Sequence, residues 1–268
     1  MSSIITDILS DIKSRIHQLF GTYGWRGDYL DWQSASKKCK GYNETNILEK
    51  VKEATLKVKS GEAVYERDSV LFDEVQYSWP LLATLLWVAL QKNGRLHVAD
   101  FGGALGSSYF QNRNFLSNLT ELKWSILEQK QFVESGREYV QDDVLQFFFN
   151  LKELTQSRGK PDLLLLSCTL PYLETPYGLI ENLMEHKIPY IFIDNTYFNY
   201  AQRDRICIQS VPPEIYEASY PCWLLDYAKL RNLVANRYTI VSEHHNESHI
   251  YIDGKHINYK GFLGKIKA

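Results

Sequence analysis

The sequence predicts an α/β chain whose sheet is mostly parallel, and three stretches carry that expectation. The first is Leu96-His-Val-Ala-Asp-Phe-Gly-Gly-Ala-Leu-Gly-Ser-Ser-Tyr-Phe110, where an apolar run ends on Asp100, Gly102, Gly103 and Gly106 surround Ala104, and a helical pattern opens at Ser107. Strand, tight turn and helix start follow one another, since glycine accepts φ > 0 and lets a ligand come close to the backbone. The second is Lys123-Trp-Ser-Ile-Leu-Glu128, an apolar strand that ends in an acid. The third is the leucine run Leu163 to Leu166, which reads as a central strand buried on both faces.

Composition bounds the rest. A chain of 268 residues with 44% hydrophobic and 13% aromatic content can bury one large α/β core with additions. No apolar run approaches the ~18 residues of a transmembrane helix, so the expectation is a chain without an integral membrane segment. With 30 basic and 32 acidic side chains the net charge is −2, which lacks the electrostatic footprint of a nucleic-acid binder. A small-molecule or neutral partner fits better. The cysteines Cys39, Cys168, Cys207 and Cys222 are dispersed without a C-x-x-C pair, and no secretory leader pattern opens the chain. The expectation is a reducing cytoplasm and no metal site.

In chain order, apolar residues from Ile4 to Phe20 recur at three- and four-residue intervals and predict an amphipathic helix over residues 3–20. Such a helix could dock on its own domain, pair two copies as a homodimer, or make peripheral membrane contact. Tyr23 to Ser36 is dense in aromatics and turn residues and reads as an ordered loop, with Trp25 and Tyr29 as candidate substrate contacts. Asn46 is placed to cap a helix reaching Gly61. The triplet Glu66, Arg67, Asp68 precedes an apolar helix over Tyr77 to Leu90 and suggests a lid, with Arg67 a candidate acceptor contact. Residues 1–74 are thus expected as a helical and aromatic N-terminal extension, and 75–268 as the main domain.

After Glu128 a helical pattern runs from Gln131 to Tyr139, and Asp142 and Asp143 precede the apolar stretch to Phe148. The leucine strand ends in Ser167, Cys168 and Thr169. No histidine or basic run neighbours Cys168 to lower its pKa, so a catalytic cysteine is not expected. A helix over Tyr177 to His186 leads to a strand ending on Asp194 and Asn195. Next come a short strand from Ile206 to Val211, a helix over Trp223 to Val234, a strand Tyr238 to His245, and a hairpin turning at Asp253-Gly254.

Open α/β sheets bind ligands beyond the carboxyl ends of their strands, so the glycine turn, Glu128, Ser167 and Asp194 are read together. In a dinucleotide fingerprint the later glycines fall two and five residues after the first. Counted from Gly102 those positions hold Ala104 and Ser107, so the match is poor. Asp100-x-Gly102-x-Ala104-x-Gly106 instead resembles the acidic-x-G-x-G-x-G first motif of class I S-adenosylmethionine-dependent methyltransferases, with alanine in place of the middle glycine. Another nucleotide, or a turn kept for packing alone, remains an alternative at this point. Glu128 lies a little over the ~20 residues at which an acid grips ribose hydroxyls in such folds.

More narrowly, Tyr65-Glu-Arg-Asp-Ser-Val70, Asp100-Phe-Gly-Gly-Ala-Leu-Gly-Ser-Ser-Tyr109 and Trp124-Ser-Ile-Leu-Glu-Gln129 resemble a bacterial family of methyltransferases associated with surface-polysaccharide gene clusters. The resemblance implies a Rossmann-like class I methyltransferase sheet, with one antiparallel strand near the C-terminus. It also implies S-adenosyl-L-methionine as methyl donor and a glycan or glycan precursor as acceptor. By the same resemblance Asp100 would belong to the cofactor site, the backbone around Gly102, Gly103 and Gly106 would hold the methionine part, Glu128 the ribose, Asp142 or Asp143 the adenine region, and Ser167 the cofactor edge.

Transfer to an alcohol also needs a base. Asp194, Asp204, His244 and His245 are the candidates, with Tyr172 as an orienting or acceptor-binding residue; histidine has the most suitable ordinary pKa. Two rival functions make different demands. A nicotinamide-dependent oxidoreductase would bind NAD and not S-adenosylhomocysteine, and a non-catalytic module in a glycan-assembly complex would turn over nothing.

Overall fold

The computed structural model describes residues 23–39, 44–212 and 218–268. The amphipathic pattern over residues 3–20, and with it the homodimer and membrane readings, lies outside the described residues. No helix among the described residues is long and apolar enough to cross a membrane.

The main sheet contains β4 (Arg95–Phe101), β5 (Glu121–Leu127), β6 (Leu145–Phe148), β7 (Leu163–Ser167), β8 (Tyr190–Thr196), β11 (Tyr238–Ile252) and β12 (Lys255–Ile266). Its spatial order is β11-β12-β8-β7-β4-β5-β6. Strands β4 to β8 pair in parallel, while β12 is antiparallel to both β8 and β11. The order reverses between β4 and β7, so the carboxyl ends of these two strands border a crevice. This is the Rossmann-like, mostly parallel sheet with an antiparallel strand near the C-terminus that the sequence predicts.

Helices cover both faces. Along β7, Leu163 and Leu165 point into one core with Val51 and Val58 of α2 (Glu44–Ser60), Leu81 and Leu85 of α3 (Trp79–Gln91), and Phe110 of α4 (Ser107–Leu116). Leu164 and Leu166 point into the other, with Leu154 of α6 (Leu151–Arg158), Ile180 of α7 (Pro176–Glu185) and Leu230 of α8 (Tyr227–Ala235). The unbroken leucine run is therefore the mark of a strand with apolar layers on both sides. The short helix α5 (Lys130–Ser135) continues as a π turn over Gly136–Val140 and joins the first core through Phe132 and Val133.

Several boundaries differ from expectation for local reasons. Helix α2 begins at Glu44, so Asn46 lies inside it. The aromatic segment is not a loop: β1 (Gly24–Tyr29) pairs antiparallel with β9 (Arg205–Val211), and α1 (Trp32–Ser36) is closed by a capping box between Asp31 and Ser34. Helix α8 starts only at Tyr227, because Asp226 accepts from the Lys229 N–H as its N-cap and Trp223 belongs to β10 (Ala218–Leu224). Strands β1, β9 and β10 form a second sheet, and β2 (Tyr65–Arg67) and β3 (Val70–Phe72) form a hairpin. Of the described residues before 75, those of α2 thus pack into the first core and those of β1 pair with β9.

Candidate active site

The glycine turn leaves β4 at the carboxyl edge of the sheet. Gly102 has φ +74, and a Cβ there would stand 2.5 Å from Thr169 Cγ2. Thr169 Oγ1 in turn donates to the Phe101 carbonyl at 3.0 Å, so the turn is locked against the loop after β7. A Cβ on Gly103 would strike Asp100 Oδ2 at 2.5 Å. Ala104, where the motif has its middle glycine, adopts φ 48 and is therefore a strained alanine in a glycine conformation. Gly106 caps α4 without a side chain, leaving the first N–H groups of the helix open toward the turn.

Asp100 is buried beneath this turn and accepts from Trp124 Nε1 at 3.0 Å. Burial pushes its carboxyl up to about 7, against the lowering effect of the indole bond and with a further push from Glu128. Glu128 follows the last residue of β5, next to the turn in the parallel pair. Its carboxyl is raised by burial, opposed by hydrogen bonds from the N–H groups of Gln129 and Ala104. The strained alanine thus presents its N–H to the acid, tying turn and strand end together.

Asp142 and Asp143 are placed differently from the expectation. They precede β6, and β6 runs parallel to β5, so they sit at the amino edge of the sheet, opposite the glycine turn. Asp142 Oδ1 accepts from the N–H groups of Val144 at 2.8 Å and Leu145 at 2.7 Å, which closes the turn into the strand. The residues beyond the carboxyl end of β6 are Phe149 and Asn150.

The second cluster is built on β8. Asp194 is fully buried, and Ser167 stands opposite it in the parallel register with β7. Its Oδ1 meets His244 Nε2 at 2.9 Å and Asn246 Nδ2 at 3.0 Å, and its Oδ2 accepts from Ser78 Oγ at 3.1 Å. Asn195 Nδ2 contacts both Asp194 Oδ2 and Ser167 Oγ at 3.3 Å. His244 stacks on Phe192 with 5.3 Å between ring centroids and keeps 13% of its side chain exposed. His245 faces solvent on the other side of the strand.

Asp204 does not join this cluster. Burial would raise its carboxyl, but Lys229 Nζ, Tyr177 Oη and the Asp226 N–H all donate to it and hold it below the ordinary value. It fastens α7 and α8 together and has no free oxygen suited to a base. Cys168 is pushed up to about 12 by burial, in keeping with an inert thiol.

Aromatic side chains line the region beside Cys168. Tyr172 meets Tyr197 at 6.4 Å and Tyr220 at 5.4 Å, while Tyr197 meets Tyr259 at 5.4 Å and Trp25 at 5.6 Å. Trp25 Nε1 and the Tyr197 hydroxyl are buried without a hydrogen-bond partner. Arg67 is near enough for its charge to act on Cys168 and Tyr259, and its guanidinium donates to Gln76 Oε1 at 3.2 Å. Tyr29 instead packs with Ala35, Ile206 and Ile208 beneath Lys38, apart from this nest.

Sequence reasoning did not single out Ser78, Asn246, Tyr197, Tyr259 or Gly261. Gly261 had a readable signal: a glycine inside a strand marks a close approach, and a Cβ there would stand 2.5 Å from His244 Cε1.

No family model matches the chain, and no curated protein matches its sequence. Among solved structures, it is similar to magnesium protoporphyrin IX methyltransferase from Synechocystis PCC 6803 with bound S-adenosylmethionine. The identity is 12%, over 82% of this chain and 97% of that one, with a TM-score of 0.44. The N-terminal domain of EvdMO1, in the presence of S-adenosylhomocysteine and D-fucose, is 13% identical over 84% of this chain and 98% of that one, with a TM-score of 0.46. The glycopeptide N-methyltransferase MtfA complexed with S-adenosylmethionine is 11% identical over 70% and 87%, with a TM-score of 0.47.

Proposed function

We propose that the chain is an S-adenosylmethionine-dependent methyltransferase that methylates a hydroxyl of a sugar or surface-glycan precursor. The observation that carries this reading is Glu128, held at the end of β5 by the Ala104 and Gln129 N–H groups beside the glycine turn of β4. A carboxylate there can accept from both vicinal hydroxyls of a ribose, and the open N-terminus of α4 and the close backbone of the turn suit the rest of the donor.

When bound, S-adenosylmethionine supplies an electrophilic methyl group. The chain's own task is to position the acceptor oxygen in line and to exclude water. His244 takes the acceptor's proton on the ring nitrogen that does not face Asp194, and Asp194 orients the ring and stabilises the resulting imidazolium. The proton leaves the hydroxyl as the new oxygen–carbon bond forms. Trp25, Tyr172 and Tyr259, each half-buried around the Tyr197 ring, offer aromatic surface for the C–H faces of a sugar.

The test is methyl transfer from isotopically labelled donor to a panel of sugars and nucleotide sugars, with the product position read by NMR. Label on a sugar oxygen is the expected result. Donor turnover that places the label on nitrogen, or on no member of the panel, overturns the acceptor assignment.

A further inference from the structure

The glycine turn passes directly into α4, and the first residue of that helix, Ser107, donates its hydroxyl to Glu66 Oε1. Glu66 comes from β2, the first strand of the hairpin that resembled a lid in the sequence. The residue is only 1% exposed, and its other carboxyl oxygen, Oε2, is buried with no hydrogen-bond partner. A bare buried carboxyl oxygen carries its full desolvation cost, so a group that would satisfy it is missing. Arg67, the next residue, does not fill that role, because its guanidinium is directed to Gln76 Oε1 and the face of Phe72.

The hairpin turn has an ordinary shape built from unusual residues. Arg67 pairs with Val70, so Asp68 and Ser69 form a two-residue turn, with φ 53 and 67. Such a turn favours Asn-Gly, and two non-glycine residues in the left-handed region persist where surrounding structure demands them. The Ser69 backbone lies close enough to lower the Glu66 carboxyl against the effect of burial, and the Asp68 charge acts on Cys168 beyond the end of β7. The hairpin therefore bridges the start of α4 and the loop after β7. Those two places flank the glycine turn.

We infer that Glu66 binds the ammonium group at the amino-acid end of the methyl donor, with the β2–β3 hairpin closing over that end. The inference rests on the donor reading above. Its chemistry is that of a cation meeting an unpartnered carboxylate, a charge-assisted hydrogen bond in a site shielded from water. Burial raises the Glu66 carboxyl in the free protein, as expected of an acid waiting for its counter-charge.

The test compares equilibrium binding of three compounds by calorimetry. S-adenosylhomocysteine carries the ammonium, its deamino analogue lacks only that group, and 5′-methylthioadenosine lacks the whole amino-acid end. The wild-type protein is expected to bind S-adenosylhomocysteine about tenfold or more tightly than the deamino analogue. Glu66→Gln should abolish that preference and leave 5′-methylthioadenosine binding unchanged. Equal wild-type affinity for the first two compounds overturns the inference without recourse to any variant. So does a Glu66→Gln protein that keeps the preference, or one that loses affinity for all three compounds alike. Failure of the wild type to bind any of the three overturns the donor reading itself, and the assignment of Glu66 with it.

Discussion

His244 on β11 reaches Asp194 on β8 across the whole width of the intervening strand β12, placing Nε2 at 2.9 Å from Oδ1. The passage exists because Gly261 of β12, paired with His244, has no side chain. A Cβ at that position would stand 2.3 Å from the Ile193 carbonyl oxygen and 2.5 Å from His244 Nε2. Gly261→Ala is therefore expected to destabilise the fold by about 1–3 kcal/mol, as overpacking does, and to expel the imidazole from Asp194. Urea denaturation measures the first effect. The histidine ring signals in an NMR spectrum report the second.

The two neighbouring histidines make an internal control. His244→Ala should lower methyl transfer by about 10²-fold or more, the usual contribution of a general base, with S-adenosylhomocysteine affinity unchanged. His245→Ala should have no effect on either, since its ring faces solvent. Steady-state kinetics with calorimetry decides the matter, and equal losses in the two variants would contradict the assignment.

Asp100 predicts a pH dependence of stability. Its folded pKa of about 7 lies above the ordinary carboxylate value, so the native state holds the proton more tightly than the unfolded chain. The stability this contributes is fully present below the unfolded pKa near 4 and is lost as pH rises through about 7. Over that window the difference is on the order of 4 kcal/mol at most. Asp100→Asn keeps an acceptor for Trp124 Nε1 and removes the titration. Urea midpoints measured from about pH 4 to pH 8 should therefore fall more steeply for the wild type than for the variant.

The glycine turn predicts opposite signs at two sites separated by Gly103. Ala104 pays about 1–2 kcal/mol for its left-handed conformation, which a glycine would relieve, against a loss of up to about 1 kcal/mol from the freer unfolded chain. Ala104→Gly is thus expected to match or exceed wild-type stability. Gly102→Ala combines the same strain with a Cβ at 2.5 Å from Thr169 Cγ2, and should lose more than 1 kcal/mol. Chemical denaturation of both variants tests the pair.

Local pattern made the centre of the fold legible. The run into Asp100, the glycines behind it and the leucines of β7 each need a strand with apolar layers on both sides, and the structure supplies them. Glu128 was readable for the same reason, as the residue at which an apolar strand stops. Asp142 and Asp143 carried a signal that points the other way: in a parallel sheet, acids that precede a strand lie at its amino edge. The contacts around Asp194 were not legible, because they join Ser78, Asn195, His244 and Asn246 from distant parts of the chain. Nor was β1, whose partner β9 lies near the far end of the sequence and whose aromatic, turn-rich residues carry no clear strand period. Asp204 drew attention by its place after a strand's carboxyl end and Tyr29 by its aromatic, turn-rich segment, and tertiary packing gave both of them structural partners.

Glu128 and the glycine turn together form the proposed methyl-donor site. Calorimetric titration of the wild type with S-adenosylhomocysteine, alongside NAD and the Glu128→Ala variant, tests it most directly. Saturable binding of S-adenosylhomocysteine to the wild type is expected, none of NAD, and at least about tenfold weaker binding to the variant, from the loss of a charged acceptor for two hydroxyls. Binding of NAD in place of S-adenosylhomocysteine, or of S-adenosylhomocysteine with equal affinity to both proteins, would contradict it.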